Sequence, residues 1–172
     1  MKNDVDAAIS SRSTRPKKMD ASEHPSHSGG QLLYLNAETG LEASDSPGCF
    51  QYIADKVLPS LLGELDLPKC YVRYLSKNTK IEEYVADLAS QFADNKALVL
   101  YSYGSHVQKA VTIIELAKRR IAVETPGAGL DHRNKLSRFV NIVPGRNELL
   151  ERKINVPILV ALITRKTDAP LR

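Results

Sequence analysis

Apolar and polar positions along the chain alternate between two periods, and the changes of period mark its elements. Phe50, Ile53, Ala54, Val57 and Leu61 recur at helical spacing after Ser46-Pro47, with Ser at the cap and Pro in the first turn. Pro59 is expected to kink or end that helix. Cys70 to Leu75 alternates like a strand. Thr79 and Glu82 then form a capping box, and Ile81, Tyr84, Val85, Leu88 and Phe92 make one helical stripe. Ala97 to Tyr103 reads as a second strand, and Ser105 with Gln108 as a second capping box. The helix it opens buries Val107, Ala110, Val111, Ile114, Ala117 and Ile121.

Beyond it, residues 122–134 read as a loop around Pro126, Gly127 and Gly129. Leu136 to Val143 and Ile154 to Thr164 follow as two strands joined by a loop containing Pro144-Gly145-Arg146-Asn147-Glu148. The order is strand, helix, strand, helix, strand, strand, behind an extra N-terminal helix. It predicts an α+β (α/β two-layer) domain, a sheet with helices packed on it. Three regions result: a mostly disordered tail over 1–46, in which 31–35 packs as a short strand, a domain over 47–166, and a short tail over 167–172.

The formal net charge of +4 conceals an uneven spread. Residues 1–47 hold 5 basic and 7 acidic side chains, whereas residues from 100 onward hold 13 and 6. A basic C-terminal half points to a polyanionic partner, although an ordinary solvated surface gives the same split. Cys49 and Cys70 lack metal-type spacing and read as small buried hydrophobes in a reducing compartment. His24 and His27 have no third ligand near them. Without a membrane-spanning run or a signal-peptide core, the chain reads as soluble and intracellular. Arg12, Arg15, Lys17 and Lys18 form a short basic cluster suited to nuclear entry or to grazing RNA.

The candidate chemistry gathers at the second helix start. A helix N-terminus offers free N–H groups and partial positive charge, which suit a phosphate. Lys109 lies one turn beyond Ser105 on the same side. Ser105 beside His106 resembles a nucleophile and base only in composition, since adjacent side chains at a helix start diverge and no acid orients the histidine. His106 is left as a phosphate or ribose contact, or simply exposed. Tyr103 either stacks on a base or fills the sheet–helix core. Lys118-Arg119-Arg120 reads as helix-dipole compensation. A lone glycine makes a nucleotide-binding enzyme a remote alternative.

This order resembles the Alba family of nucleic-acid-binding proteins. The resemblance lies in a lysine-bearing turn after a strand, Ser76-Lys77-Asn78, and in the Gly-x-x-x-x-Lys-Ala-Val start of Gly104 to Val111. SYGSHVQKA, NKLSRF and GRNELLERKINVPILVALIT look like the larger Alba-type subunit of fungal ribonuclease P and RNase MRP. The resemblance implies an Alba-like β-α-β-α-β-β sheet with two helices on one face, and a noncatalytic, nuclear RNA-binding subunit of those particles, without cofactor or metal. It further implies pairing with a second, smaller Alba-type subunit, binding to the P3 element of the catalytic RNA, and a role with telomerase RNA. Carried over by residue, the RNA face comprises Lys77 and Lys80 at the first turn, Gly104, Ser105, His106 and Lys109 at the second, and Arg146, Arg152 and Lys153 on the last hairpin. A general Alba-type DNA- or RNA-coating protein is the alternative. Ser105 stands where archaeal members commonly place a basic residue.

Overall fold

The computed structural model describes residues 30–63, 65–145 and 150–166. Its centre is a six-stranded sheet in the order β2-β1-β5-β6-β4-β3. The strands are β1 (Gln31–Tyr34), β2 (Ala37–Glu42), β3 (Tyr71–Tyr74), β4 (Leu98–Tyr103), β5 (Leu130–Pro144) and β6 (Glu151–Arg165). The helices are α1 (Ser46–Tyr52), α2 (Leu58–Leu61), α3 (Ile81–Ala93) and α4 (Val107–Glu124). Only β3 and β4 run parallel, and α3 is the crossover that parallel pairing requires.

Every residue of β4 is buried, because the sheet is covered on both faces there. Leu98 and Leu100 join Val85, Leu88 and Phe92 of α3 and Ile113, Ala117 and Ile121 of α4 in one core. Val99, Tyr101 and Tyr103 point the other way, against Cys49, Phe50, Ile53 and Val57. Two helices therefore share one face, as the family resemblance implies, and the extra helix covers the opposite one.

Several local expectations are corrected. The helix does not end at Pro59. A π-helical turn over Ile53–Val57 joins α1 to α2, with Leu58 N–H donating to Ile53 O. The wider turn gives room to a proline that has no N–H and whose ring crowds the preceding turn. Its N-cap is Asp45, whose carboxylate accepts from Gly48 N–H at 3.0 Å, and not Ser46. Neither capping box forms: Lys80 and His106 occupy the cap positions of α3 and α4 without a side-chain capping bond. Thr79 instead accepts from Ser76 N–H at 2.9 Å, closing the turn before α3.

Residues 31–42 form a hairpin rather than a lone strand over 31–35. Leu35 and Asn36, both at positive φ, make its two-residue turn. The loop expected over 122–134 shrinks to the residues between Glu124 and Leu130. β5 and β6 then pair continuously from Leu130↔Arg165 to Pro144↔Glu151. β1 meets β5 only over Phe139–Ile142, and β4 meets β6 only over Ile158–Ile163. Past those limits the two strands continue as a ribbon, and Pro157 falls where β6 has a single neighbour, so its missing N–H costs no ladder bond.

Candidate nucleic-acid interface

The parallel pairing of β3 with β4 sets their following turns side by side at one end of the sheet. After β3 the chain runs through Ser76-Lys77-Asn78. After β4 it turns at Gly104, where a short 3-10 turn over Gly104–His106 leads into α4. Gly104 has φ +55°, a backbone that other residues adopt only at a cost, and a Cβ there would lie 3.3 Å from Val156 of β6.

Two bonds fasten these turns together. Lys77 N–H donates to His106 Nδ1 at 3.1 Å, and Lys109 Nζ donates to the Lys77 carbonyl at 2.6 Å. Lys77 is exposed and its ammonium is free of acidic partners among the described residues. Ser105 is exposed and makes no side-chain bond there. The cleft between this end and the start of α1 encloses about 340 Å³, lined by Ser44, Ser46, Lys77, Gly104, Ser105, His106 and Val156.

His106 is not exposed, contrary to one of its expected readings. Its ring is 7% exposed and lies between Phe50, at 5.5 Å, and Tyr103, at 5.3 Å. Burial, and next the charge of Lys77, lower its pKa below the ordinary value of 6.5. Accepting at Nδ1 is the work of a neutral ring, so this histidine holds the Lys77 turn in place. Tyr103 resolves in favour of the core: it is 4% exposed, donates to Ser46 Oγ at 3.0 Å, and burial pushes its pKa up to about 12.

The remaining predicted residues divide. Lys80 caps α3 but pairs with Glu83 at 2.8 Å, and Glu82 adds a second acid to that first turn. The first turn of α4 carries none. Arg152 and Lys153 are exposed on the ribbon, and only Arg152 shares the side of Val156, because side chains alternate. Lys153 is three residues from Val156, roughly 10 Å along the strand. These two stand beside the cleft rather than in it. Arg146, with Asn147 and Glu148 of the same loop, lies outside the described residues, as do Arg12, Arg15, Lys17, Lys18, His24 and His27. Lys118 and Arg120 sit within α4, which runs on to Glu124, and pair with Glu115 and Glu124 at 2.8 and 2.6 Å. They serve the helix flank rather than its end.

Sequence reasoning missed Tyr74. It is 47% exposed beside the Lys77 turn, with its ring 4.6 Å from Phe50. An aromatic on a strand carries no signal of exposure until the neighbouring helix is placed.

The arrangement can hold anions: helix-start N–H groups and Lys77 face one cleft, with Lys109 at its margin. The Alba family profile matches residues 72–126, which contain both turns and their helices. Among solved structures, Alba from Thermoplasma volcanium is similar with 17% identity and a TM-score of 0.39, covering 55% of this chain and 99% of that one. Among characterised proteins, "Ribonucleases P/MRP protein subunit POP6" of Saccharomyces cerevisiae is 31% identical over 142 residues, covering 77% of this chain and 88% of its own length. With a relative matched along nearly its whole length and the family profile centred on the two turns, this chain belongs to the Alba family.

Proposed function

We propose that this protein is a noncatalytic RNA-binding subunit of the ribonuclease P and RNase MRP ribonucleoproteins. The observation that carries the reading is the match to POP6 over 88% of that subunit. The paired turns support it with a site for the sugar–phosphate backbone. Contacts from Lys77, Lys109 and the N–H groups at Gly104 and Ser105 recognise the shape of a folded RNA, as phosphate contacts do, rather than its sequence. Arg152 and Lys153 extend the same basic margin along the ribbon. Ser105 and His106 do not form a nucleophile–base pair, since Nδ1 of the histidine is occupied by Lys77 N–H.

The RNA is a structured element with unpaired internal positions, the P3 element of the catalytic RNA, and telomerase RNA offers a similar one. The subunit works as a heterodimer with a smaller Alba-type chain, within the nucleus and nucleolus. An apolar surface supports the pairing: Leu116 and Val123 of α4 are 37% and 79% exposed, and Leu136 of β5 is 73% exposed. Leu136 faces the α4 side of the sheet, being in register with the core residue Leu159.

The test is to purify the full-length tagged protein from its own cells and sequence the RNA bound to it. Enrichment of the ribonuclease P and MRP RNAs, with a second Alba-type chain, is the expected result. Recovery of unrelated RNA and DNA in proportion to their abundance would make it a general coating protein instead.

A further inference from the structure

On the other side of His106 lies a second cavity, of about 350 Å³, between α1, the end of β3 and the Lys77 turn. That volume falls within the roughly 300–1,000 Å³ of small-molecule sites. Its inner surface is aromatic. Phe50 and Tyr101 are each 7% exposed, while Tyr74 stands at the mouth with its ring tilted 33° to Phe50. Lys77 and Asn78 form the rim.

Tyr101 supplies a polar group at the wall of the cavity. The residue is 7% exposed and its phenol lines this cavity, where the hydroxyl, unpaired with any described residue, stays open to a ligand or to water. A phenol hydroxyl both donates and accepts, so it can meet the polar edge of a ligand there. Something planar that stacks on Tyr74 and presents a polar edge to Tyr101 would satisfy both groups.

The neighbouring cleft narrows the choice. The two cavities share Ser46, Lys77 and His106, so a flat group in one is a single step from an anion in the other. A nucleotide has that form. We propose that this cavity receives one unpaired nucleobase of the bound RNA, stacked on Tyr74 with its edge at the Tyr101 hydroxyl and its phosphate at Lys77. The inference rests on the RNA-binding reading and adds to it a base-contacting pocket built by the extra N-terminal helix. It makes the protein a reader of unpaired positions as well as of backbone shape.

The probes are two synthetic RNA hairpins of equal length, one with an internal loop of unpaired nucleotides and one fully paired. Both are titrated with the full chain. Tyr74→Ala is expected to weaken binding to the looped hairpin about tenfold, the loss of one base–aromatic stack, and to leave the paired hairpin unchanged. Tyr74→Phe retains the stack and the affinity. Tyr101→Phe, which keeps the ring and its packing, weakens only the looped hairpin, by about fivefold. An abasic site at the responsible loop position reproduces the Tyr74→Ala loss and adds nothing to it.

Failure of the parent protein to bind either hairpin would remove the RNA-binding reading itself. Parent binding to both, with equal or no loss for Tyr74→Ala and Tyr101→Phe on the two, would overturn the pocket alone. So would a Tyr74→Ala protein that keeps both RNAs and loses its protein partner.

Discussion

The two strand-to-helix turns are built from the same parts and end up with different chemistry. Each follows one of the two parallel strands, has a lysine in or next to it, and opens a helix on the same side of the sheet. The turn before α3 places Lys80 against Glu83 and follows it with acids at 82 and 83. The turn before α4 has a glycine at positive φ, no acid in its first helical turn, and Lys109 reaching across to Lys77. Helix starts attract phosphate only where nearby side chains leave the N–H groups unopposed. The first turn thus offers one lysine and its backbone to the proposed site, while the second offers a helix end that no nearby acid opposes.

The most severe way to break the contrast is Gly104→Val. A branched side chain at φ +55°, facing Val156, should cost about 2 kcal/mol of folding stability, measured by urea unfolding. Lys77→Val at the other turn should cost far less; equal costs would show that the two turns are not distinguished by backbone.

Joint replacement Lys77→Ala/Lys109→Ala should leave the fold intact and lower RNA affinity about tenfold at low salt. The dependence of log K on log salt should flatten by a little under one unit per lysine. An unchanged salt titration would remove the site.

His106 sharpens the link between the turns. Its folded-state pKa lies below 6.5, so the folded protein binds fewer protons than the unfolded one in the window beneath that value. The stability it contributes is complete above pH 6.5 and drains as pH falls through the window towards the folded-state pKa. His106→Asn, which keeps an acceptor for Lys77 N–H, should be less sensitive to pH than the parent in thermal melts between pH 7 and pH 5. Parallel curves would refute the assigned bond. The smallest effect belongs to the α3 side. Lys80→Ala should change RNA affinity by less than about twofold, and Glu83→Gln should raise it slightly by releasing the paired lysine.

Much of this was readable in the amino-acid order because burial imposes periodicity. The stripes of α3 and α4 and the fully apolar β4 belong to a covered sheet, and their patterns survive in the structure. The capping boxes misled, since Thr79 and Ser105 have the right spacing but each cap falls one residue later, at Lys80 and His106. β5 began six residues earlier than its apolar pattern suggested. His132, Arg133, Asn134 and Lys135 lie where β1 no longer flanks the strand and little is buried. β2, AETGLE, is an edge strand with the same weak signal. The burial of His106 was illegible because Phe50, which packs on it, is 56 positions away in sequence.

Enclosure of β4 has one further consequence. RNA-recognition motifs spread bases over an open sheet and read them with aromatics on its strands. Here both surfaces of β4 are spent on packing, so that strand offers no open platform. For the proposed RNA-binding role, changes of specificity belong at the margins of the fold, in the end of β3, the turns, the helix starts and the protruding ribbon, and in the β4 side chain that reaches the cavity beside α1.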